Sequence, residues 1–280
     1  MKTELIMSTY NAVRALRLTL LSVTRQDVLP DSVCIADDGS GPETAELIEE
    51  MRAAHPELKL RHIWHEDRGF EKWKILNNAV ESSEAEFLIF IDGDCLIHPG
   101  FLARHIELAR RDRYSCGSLI RLTADATAAV TEADVLEGRV FDRQWLGDHG
   151  CIDRFTTWLK TSPWPRPVLD VMERIWPVRR TWCGANASAY RDAMLAVNGF
   201  DEEMKYGGGD KEFGIRMRNS GVPGRHLRFT APLVHLDHPR GYKNAEHIAF
   251  NRQKISFARS QHKTWTTTGL EKGSSRDRDQ

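Results

Sequence analysis

Neither a long apolar run nor a surplus of one charge marks this 280-residue chain. Its longest purely apolar stretches, Phe87–Ile91 and Ala193–Val197, fall far short of the roughly 20 residues a membrane helix needs. Lys+Arg 39 against Asp+Glu 40 leaves a net charge of −1, which speaks against a partner such as nucleic acid or an anionic membrane coat. Cysteine is sparse: five residues, at 34, 95, 116, 151 and 183, never spaced CxxC. That pattern excludes a disulfide frame and a zinc knuckle, and fits reduced thiols in a cytoplasmic chain. No internal repeat is visible, and no glycine-rich phosphate loop with a following Lys or Arg stands near the first strand. The opening Met1–Met7 turns polar too soon for a signal peptide. With 41% hydrophobic and 28% charged residues, wholesale disorder is excluded. The expectation is a globular cytoplasmic enzyme, with at most a peripheral place at the inner face of the plasma membrane.

What is present is an alternation. Leu5–Met7 reads as a strand ending in Ser8-Thr9-Tyr10-Asn11, and a helical pattern continues through Val13, Leu16, Leu20 and Leu21. Ser32–Ala36 is a second strand, stopped by Asp37-Asp38-Gly39-Ser40. Helix Thr44–Ala54, strand Leu58–Trp64, helix Trp73–Ser82 and strand Phe87–Ile91 continue the series. Such βαβ units build a mainly parallel sheet, whose ligands sit beyond the carboxyl ends of the strands. Both acidic clusters, Asp37-Asp38 and Asp92-Asp94, fall on that edge. From Ala124 to Arg180 the rhythm breaks: four tryptophans and a Ser-Pro-Trp-Pro-Arg-Pro run suggest an irregular, partly helical excursion over the sheet edge. A regular pattern resumes at Thr181–Tyr190, and a helix is expected over Asp210–Asn219. Leu227–Val234 reads as strand, and the Gly/Ser/charge-rich end of the chain as disordered.

Four clusters could carry chemistry. Asp92-Gly93-Asp94 comes directly after an apolar strand, and two carboxylates two apart can share a hard divalent cation while Gly93 lets a ligand approach the backbone. The same tripeptide would also serve as an acidic turn. Asp38 could accept a hydrogen bond from a nucleobase ring N–H, or cap the helix near Pro42. Gly207-Gly208-Gly209-Asp210 brings backbone close to a neighbour and opens a helix, where the macrodipole favours the anion and hence a base over an acid. His235 or His238, after a strand, could complete a metal site begun by aspartates.

In order and spacing, Ser8-Thr9-Tyr10-Asn11, Asp37-Asp38-Gly39-Ser40, Gly69-Phe70 with Lys72/Lys74 and Asn77, Asp92-Gly93-Asp94, Asn198-Gly199-Phe200-Asp201 and Gly207-Gly208-Gly209-Asp210 resemble the motifs of family 2 glycosyltransferases. The later segments resemble the C-terminal galactosyltransferase-type module. The resemblance implies an α/β fold of the GT-A type, a Rossmann-like single domain with a mostly parallel central sheet flanked by helices. It further implies a nucleotide-binding half over 1–123, an acceptor-binding and catalytic half over 124–265, and a disordered tail over 266–280. The donor it implies is a nucleotide-diphospho-sugar, expected to be a UDP-sugar, and the acceptor a glycan or lipid-linked hydroxyl in bacterial surface polysaccharide synthesis. Mn²⁺ or Mg²⁺ is the implied cofactor, held by Asp94, Asp92 and His235. Ser8, Tyr10, Asn11, Asp38, Lys74, Asn77, Asp92 and Gly93 are the implied donor-binding positions. Asp210 matches the catalytic base, and Trp182, Gly208 and Gly209 are candidates for the acceptor side. In one respect the chain departs: the usual Gly-Gly-Glu-Asp has Gly209 in place of its glutamate. Two rivals remain, a nucleotidyltransferase and a non-catalytic sugar-nucleotide binder. At the paired acids, Glu212 and Arg216 stand one helical turn apart and suit a surface ion pair, which leaves Asp210 to face the cleft.

Overall fold

The computed structural model describes residues 1–239 and 244–272. Strand β1 (Thr3–Thr9) is buried along its whole length, as a parallel strand covered on both faces must be. The chain then runs through α1 (Val13–Thr24), β2 (Ser32–Asp37), α2 (Pro42–Ala54), β3 (Leu60–Trp64), α3 (Lys72–Ser82) and β4 (Phe87–Asp92). Strands β2 and β3 add to one side of β1, whereas β4 returns to its other side, all of them parallel. Such a reversal of strand order opens a crevice beyond the carboxyl ends of the two strands that flank it. Here those strands are β1 and β4.

Alternate residues of each strand enter different cores. Leu5, Met7, Val33 and Ile35 join α1 and α2 on one face; Ile6, Cys34, Ala36, Leu88 and Phe90 join α3 on the other. The period of two is what lets one buried strand supply both layers. Beyond β4 come β5 (Cys95–Ile97), α4 (Phe101–Glu107), β6 (Tyr114–Gly117) and β7 (Leu119–Arg121). Five short helices come next: α5 (Ala124–Ala129), α6 (Glu132–Leu136), α7 (Arg143–Asp148), α8 (Phe155–Lys160) and α9 (Arg166–Ile175). The chain closes with β8 (Asn186–Tyr190), α10 (Arg191–Ala196), α11 (Gly209–Asn219), β9 (Gly224–Leu227), β10 (Leu233–His235) and α12 (Ala245–Ser260). The main sheet has the order β3-β2-β1-β4-β8-β6-β9, with β8 antiparallel to both neighbours; β5-β10-β7 form a second, small sheet. The fold is therefore an α/β domain with a mostly parallel central sheet flanked by helices. No helix among the described residues is long and apolar enough to cross a membrane.

Several expectations need correction. The segment read as one strand, Leu227–Val234, is split between β9 in the large sheet and β10 in the small one. Between them Phe229 and Thr230 donate their backbone N–H groups to the buried carboxylate of Glu173 on α9, at 2.7 Å each. The expected disorder from residue 266 fails as far as residue 272, and 273–280 lie outside the described residues. Asn198, at φ 64°, donates its side-chain amide to the carbonyl of Thr266 at 2.7 Å, and its own Oδ1 accepts the Glu271 N–H at 2.7 Å. Thr268 donates its hydroxyl to Asp201, and Leu270 packs on the second core. The Asn198-Gly199-Phe200-Asp201 motif thus works as an anchor for the C-terminal segment.

Candidate functional site

Parallel pairing sets Ser8 opposite Asp92 at the ends of β1 and β4. The Ser8 hydroxyl donates to Asp92 Oδ1 at 2.9 Å, and the Lys72 ammonium, from the start of α3, donates to the same oxygen at 2.6 Å. Burial opposes the charge on Asp92, yet Lys72 and Ser8 hold its carboxyl below the usual range. Burial likewise opposes the charge on Lys72, but Asp92, and then Asp210, raise its pKa above the ordinary lysine value. Gly93 next door is pinned by its N–H to the Ser8 carbonyl at 2.7 Å; a Cβ there would press on that same oxygen at 3.0 Å.

Asp94 points to the small sheet. Pairing of β5 with β10 aligns Cys95 with His235, and the Leu236 N–H donates to the Asp94 carbonyl at 2.9 Å. Asp94 Oδ2 lies 3.3 Å from His238 Nε2 and 3.8 Å from His235 Nε2. Asp94, Cys95 and His235 present donor atoms all within 4.8 Å of one another, the spacing of a metal-ligand set. Burial, and then the neighbouring charge of Asp92, lift the Asp94 carboxyl above its usual value. A cation there would relieve both effects. Burial also raises the Cys95 thiol well above its usual value, so at neutral pH it is a protonated neighbour and the oxygen and imidazole donors suit a hard cation better.

The third strand end is already knit together. Asp38 accepts from His65 Nε2 at 2.9 Å and from the Glu71 N–H at 3.2 Å, and burial lifts its carboxyl against the pull of His65. The helix-cap alternative for Asp38 does not hold, because Gly41 occupies the N-cap of α2 and no side chain caps that helix. Tyr10 is 44% exposed beside it, its hydroxyl donating to Asp67. Asn11, at φ 45°, braces the loop: its N–H donates to Ser40 Oγ and its Oδ1 accepts the Gly41 N–H.

Asp210 opens α11. Gly207 and Gly208 have φ of 102° and 126°, values that side chains with a Cβ rarely adopt, and they turn the chain into the helix. Asp210 Oδ1 is buried with no hydrogen-bond partner, and a Cβ at Gly184 would stand 2.8 Å from it. Burial pushes the Asp210 carboxyl up to about 6, Lys72 pulling the other way and Asp92 adding to the rise. An unpaired carboxylate oxygen in such surroundings is free to take a proton.

Some expectations are redirected. Lys74 pairs at 3.1 Å with Glu71, the N-cap residue of its own helix, and Lys72 is the lysine at Asp92. Asn77 is buried and bonds Phe200 through both its amide N–H and its carbonyl, so its side chain is committed to packing and cannot grip a donor. Trp182 is a core residue: 2% exposed, with Phe90, Tyr114 and Phe213 edge-on around it, it offers no face to a sugar. Gly209 is buried against Trp73, whose indole occupies the volume a side chain at 209 would need. The glycine that replaces the usual glutamate is therefore a packing partner of that tryptophan and presents no acceptor contact. Glu212 is not on the surface: it is buried and bound to Arg216 by bonds of 2.7 and 2.9 Å. Lys72, His65, His238 and Gly184 complete the site; only lysine 72 and the histidine at 238 carried a sequence signal.

The fold is the one seen in GT-A glycosyltransferases. Residues 4–132 match the family described as Glycosyl transferase family 2, a little under half of the chain. The chain is 26% identical to the uncharacterized glycosyltransferase YfnE of Bacillus subtilis over 90% of its own length and 69% of that relative. It spans 35% and 48% of the length of two further curated relatives. In fold it is similar to the mannosyltransferase PcManGT from Pyrobaculum calidifontis in complex with GDP-Man and Mn²⁺ (TM-score 0.59, 18% identity, 93% of this chain and 71% of that one). It is similar also to S. aureus TarS 1–349 in complex with UDP-GlcNAc (TM-score 0.63, 16% identity, 94% and 69%).

Proposed function

We propose that the chain moves a hexose from a nucleotide-diphosphate donor, a UDP-sugar, to a glycan or lipid-linked hydroxyl, with inversion and with Mn²⁺ or Mg²⁺ bound. The observation that carries this reading is the charge cluster at the β1/β4 crevice, where Asp210, with its unpartnered oxygen, shares the field of Lys72 with Asp92 and Asp94. Asp210 accepts the proton of the attacking hydroxyl, a role worth about 10²–10⁴ in rate. One carboxylate on the acceptor side suffices for a single displacement. Asp94 with His235 and His238, and Asp92 alongside, offer the oxygen and nitrogen donors that fit the cation; when bound, it supplies Lewis-acid stabilisation of the leaving diphosphate. Lys72 adds a fixed positive charge beside the same leaving group. Tyr10 and Asp38 border the base, with one lone pair on each Asp38 oxygen still free for a ring N–H.

In this reading residues 1–123 bind the donor, 124–265 contribute the acceptor side as a galactosyltransferase-type module, and α5–α9 cover that side of the cleft. A place in bacterial surface polysaccharide synthesis, in the cytoplasm at the inner membrane face, belongs to the same proposal. The test is donor turnover: with UDP-sugar and Mn²⁺ the chain should slowly release UDP, and Asp94→Ala should abolish release while the fold survives. Pyrophosphate release would point to nucleotidyl transfer, binding without turnover to a non-catalytic module, and full activity in excess chelator would remove the metal from the mechanism.

A further inference from the structure

A groove of about 700 Å³ runs between α11, α12 and the segment 179–181, outside the charge cluster of the cleft. Its lining contains no acidic residue. Six exposed cations face it: Arg179 and Arg180 from the segment after α9, Lys211 and Arg218 from α11, and Arg252 and Arg259 from α12. None of the six forms an ion pair with a carboxylate among the described residues. In a chain of net charge −1, with carboxylates enough to answer every cation, this is a local excess of positive charge.

The arrangement repeats. Lys211 and Arg218, and likewise Arg252 and Arg259, are seven residues apart, two turns of helix and about 10 Å along each axis. Between each pair an isoleucine forms the floor, Ile215 on one helix and Ile255 on the other. Two rows of cation, apolar floor and cation, one on each helix, suit an extended ligand bearing negative charges at intervals, with arginine well shaped for bidentate contact to carboxylate or phosphate. A single-stranded nucleic acid fits less well, because no aromatic side chain lines the groove to stack a base. The groove also touches the machinery of the cleft. Ile255 stands where a Cβ at Gly208 would fall, 2.8 Å away, in the turn that leads into Asp210.

We infer that this groove is the docking surface for the acceptor, and that the acceptor is a glycan chain carrying repeated anionic groups, carboxylate or phosphodiester. The inference rests on the glycosyl-transfer reading of the cleft, and its test separates the two. Binding is measured by fluorescence titration with oligogalacturonate, with sodium polyphosphate, with neutral dextran, and with phosphatidylcholine vesicles containing phosphatidylglycerol. The wild-type chain should bind at least one of the two polyanions, more weakly as salt rises, and should ignore dextran. The triple variant Arg218→Gln, Arg252→Gln, Arg259→Gln should lose at least tenfold in that affinity. These side chains are exposed, so the variant should fold, and its UDP release from the donor should match wild type because no residue of the cleft is altered. Whichever polyanion binds identifies the charged group. Equal polyanion binding by variant and wild type, no polyanion binding at all, or binding to vesicles alone would overturn the inference. UDP release reports separately on the cleft: its absence in both chains would count against the proposed reaction and leave the binding result standing on its own.

Discussion

The two walls of the cleft are built on opposite principles. On the wall at the strand ends Asp92 is answered by Ser8 and Lys72 and Asp38 by His65 and a backbone N–H, while Asp94 faces two imidazoles at 3.3 and 3.8 Å. These groups are fixed by strand register and need little rearrangement to receive a charged ligand. On the opposite wall Asp210 is aimed by a glycine turn and left with a buried, unpaired oxygen. Burying such a group costs free energy that the fold must offset elsewhere. The contrast is one of electrostatic balance: the first wall holds charge in place, and the second holds it out of balance.

The sharpest way to test the contrast is to neutralise the unbalanced group. Asp210→Asn keeps the shape and removes the basicity, so turnover should fall by about 10²–10⁴ with donor affinity near wild type. Turnover within a factor of a few of wild type would return Asp210 to a structural role.

Two residues along the helix, the opposite result is expected. Glu212 is tied to Arg216 inside the core, and Glu212→Gln leaves a buried guanidinium without its counter-charge. Denaturant unfolding should show a loss of about 3–5 kcal/mol, while turnover per folded molecule persists. An unchanged midpoint would mean that the pair contributes nothing, and the distinction between the two acids would collapse.

The smallest effect is a pH dependence. Burial pushes the Asp210 carboxyl up to about 6 in the folded chain, from an ordinary value of about 3.9 when unfolded. Between those values the folded state binds more protons, so the contribution of this group is fully present below about 4 and is lost as pH rises through 6. Asp210→Asn removes that loss. Its Tm should exceed wild type at pH 7.5, and the difference should vanish near pH 3.5. A variant less stable than wild type at pH 7.5 would show that the carboxylate is well satisfied after all.

Much of the wall at the strand ends was legible in sequence, because it depends on the few residues that terminate each strand. An apolar run that ends in Asp-Gly-Asp announces a strand and puts its acids on the ligand edge whatever the rest of the chain does. Lysines 72 and 74 could not be told apart that way. Residues two apart on a helix point about 200° from each other, so only one meets Asp92, and which one depends on how α3 rolls onto the sheet. Asn77 and Trp182 look like polar and aromatic ligands on paper; a buried bond to Phe200 and a ring of Phe and Tyr edges make them packing residues. Helix α12 left little periodic signal, since among its residues only Asn251 and Ala258 are fully buried.

The sequence by itself determined the βαβ alternation, the acidic strand ends and the glycine turn before Asp210. Each arises from neighbours along the chain, through hydrophobic period, turn chemistry and the φ values open to glycine. Tertiary structure alone decided that His235 lies at Asp94, that Trp73 takes the space at Gly209, and that six cations from three separate segments face one groove in a nearly neutral protein. Net charge counts residues without regard to place, and it is the folding of distant segments onto one another that sets which charges and volumes meet.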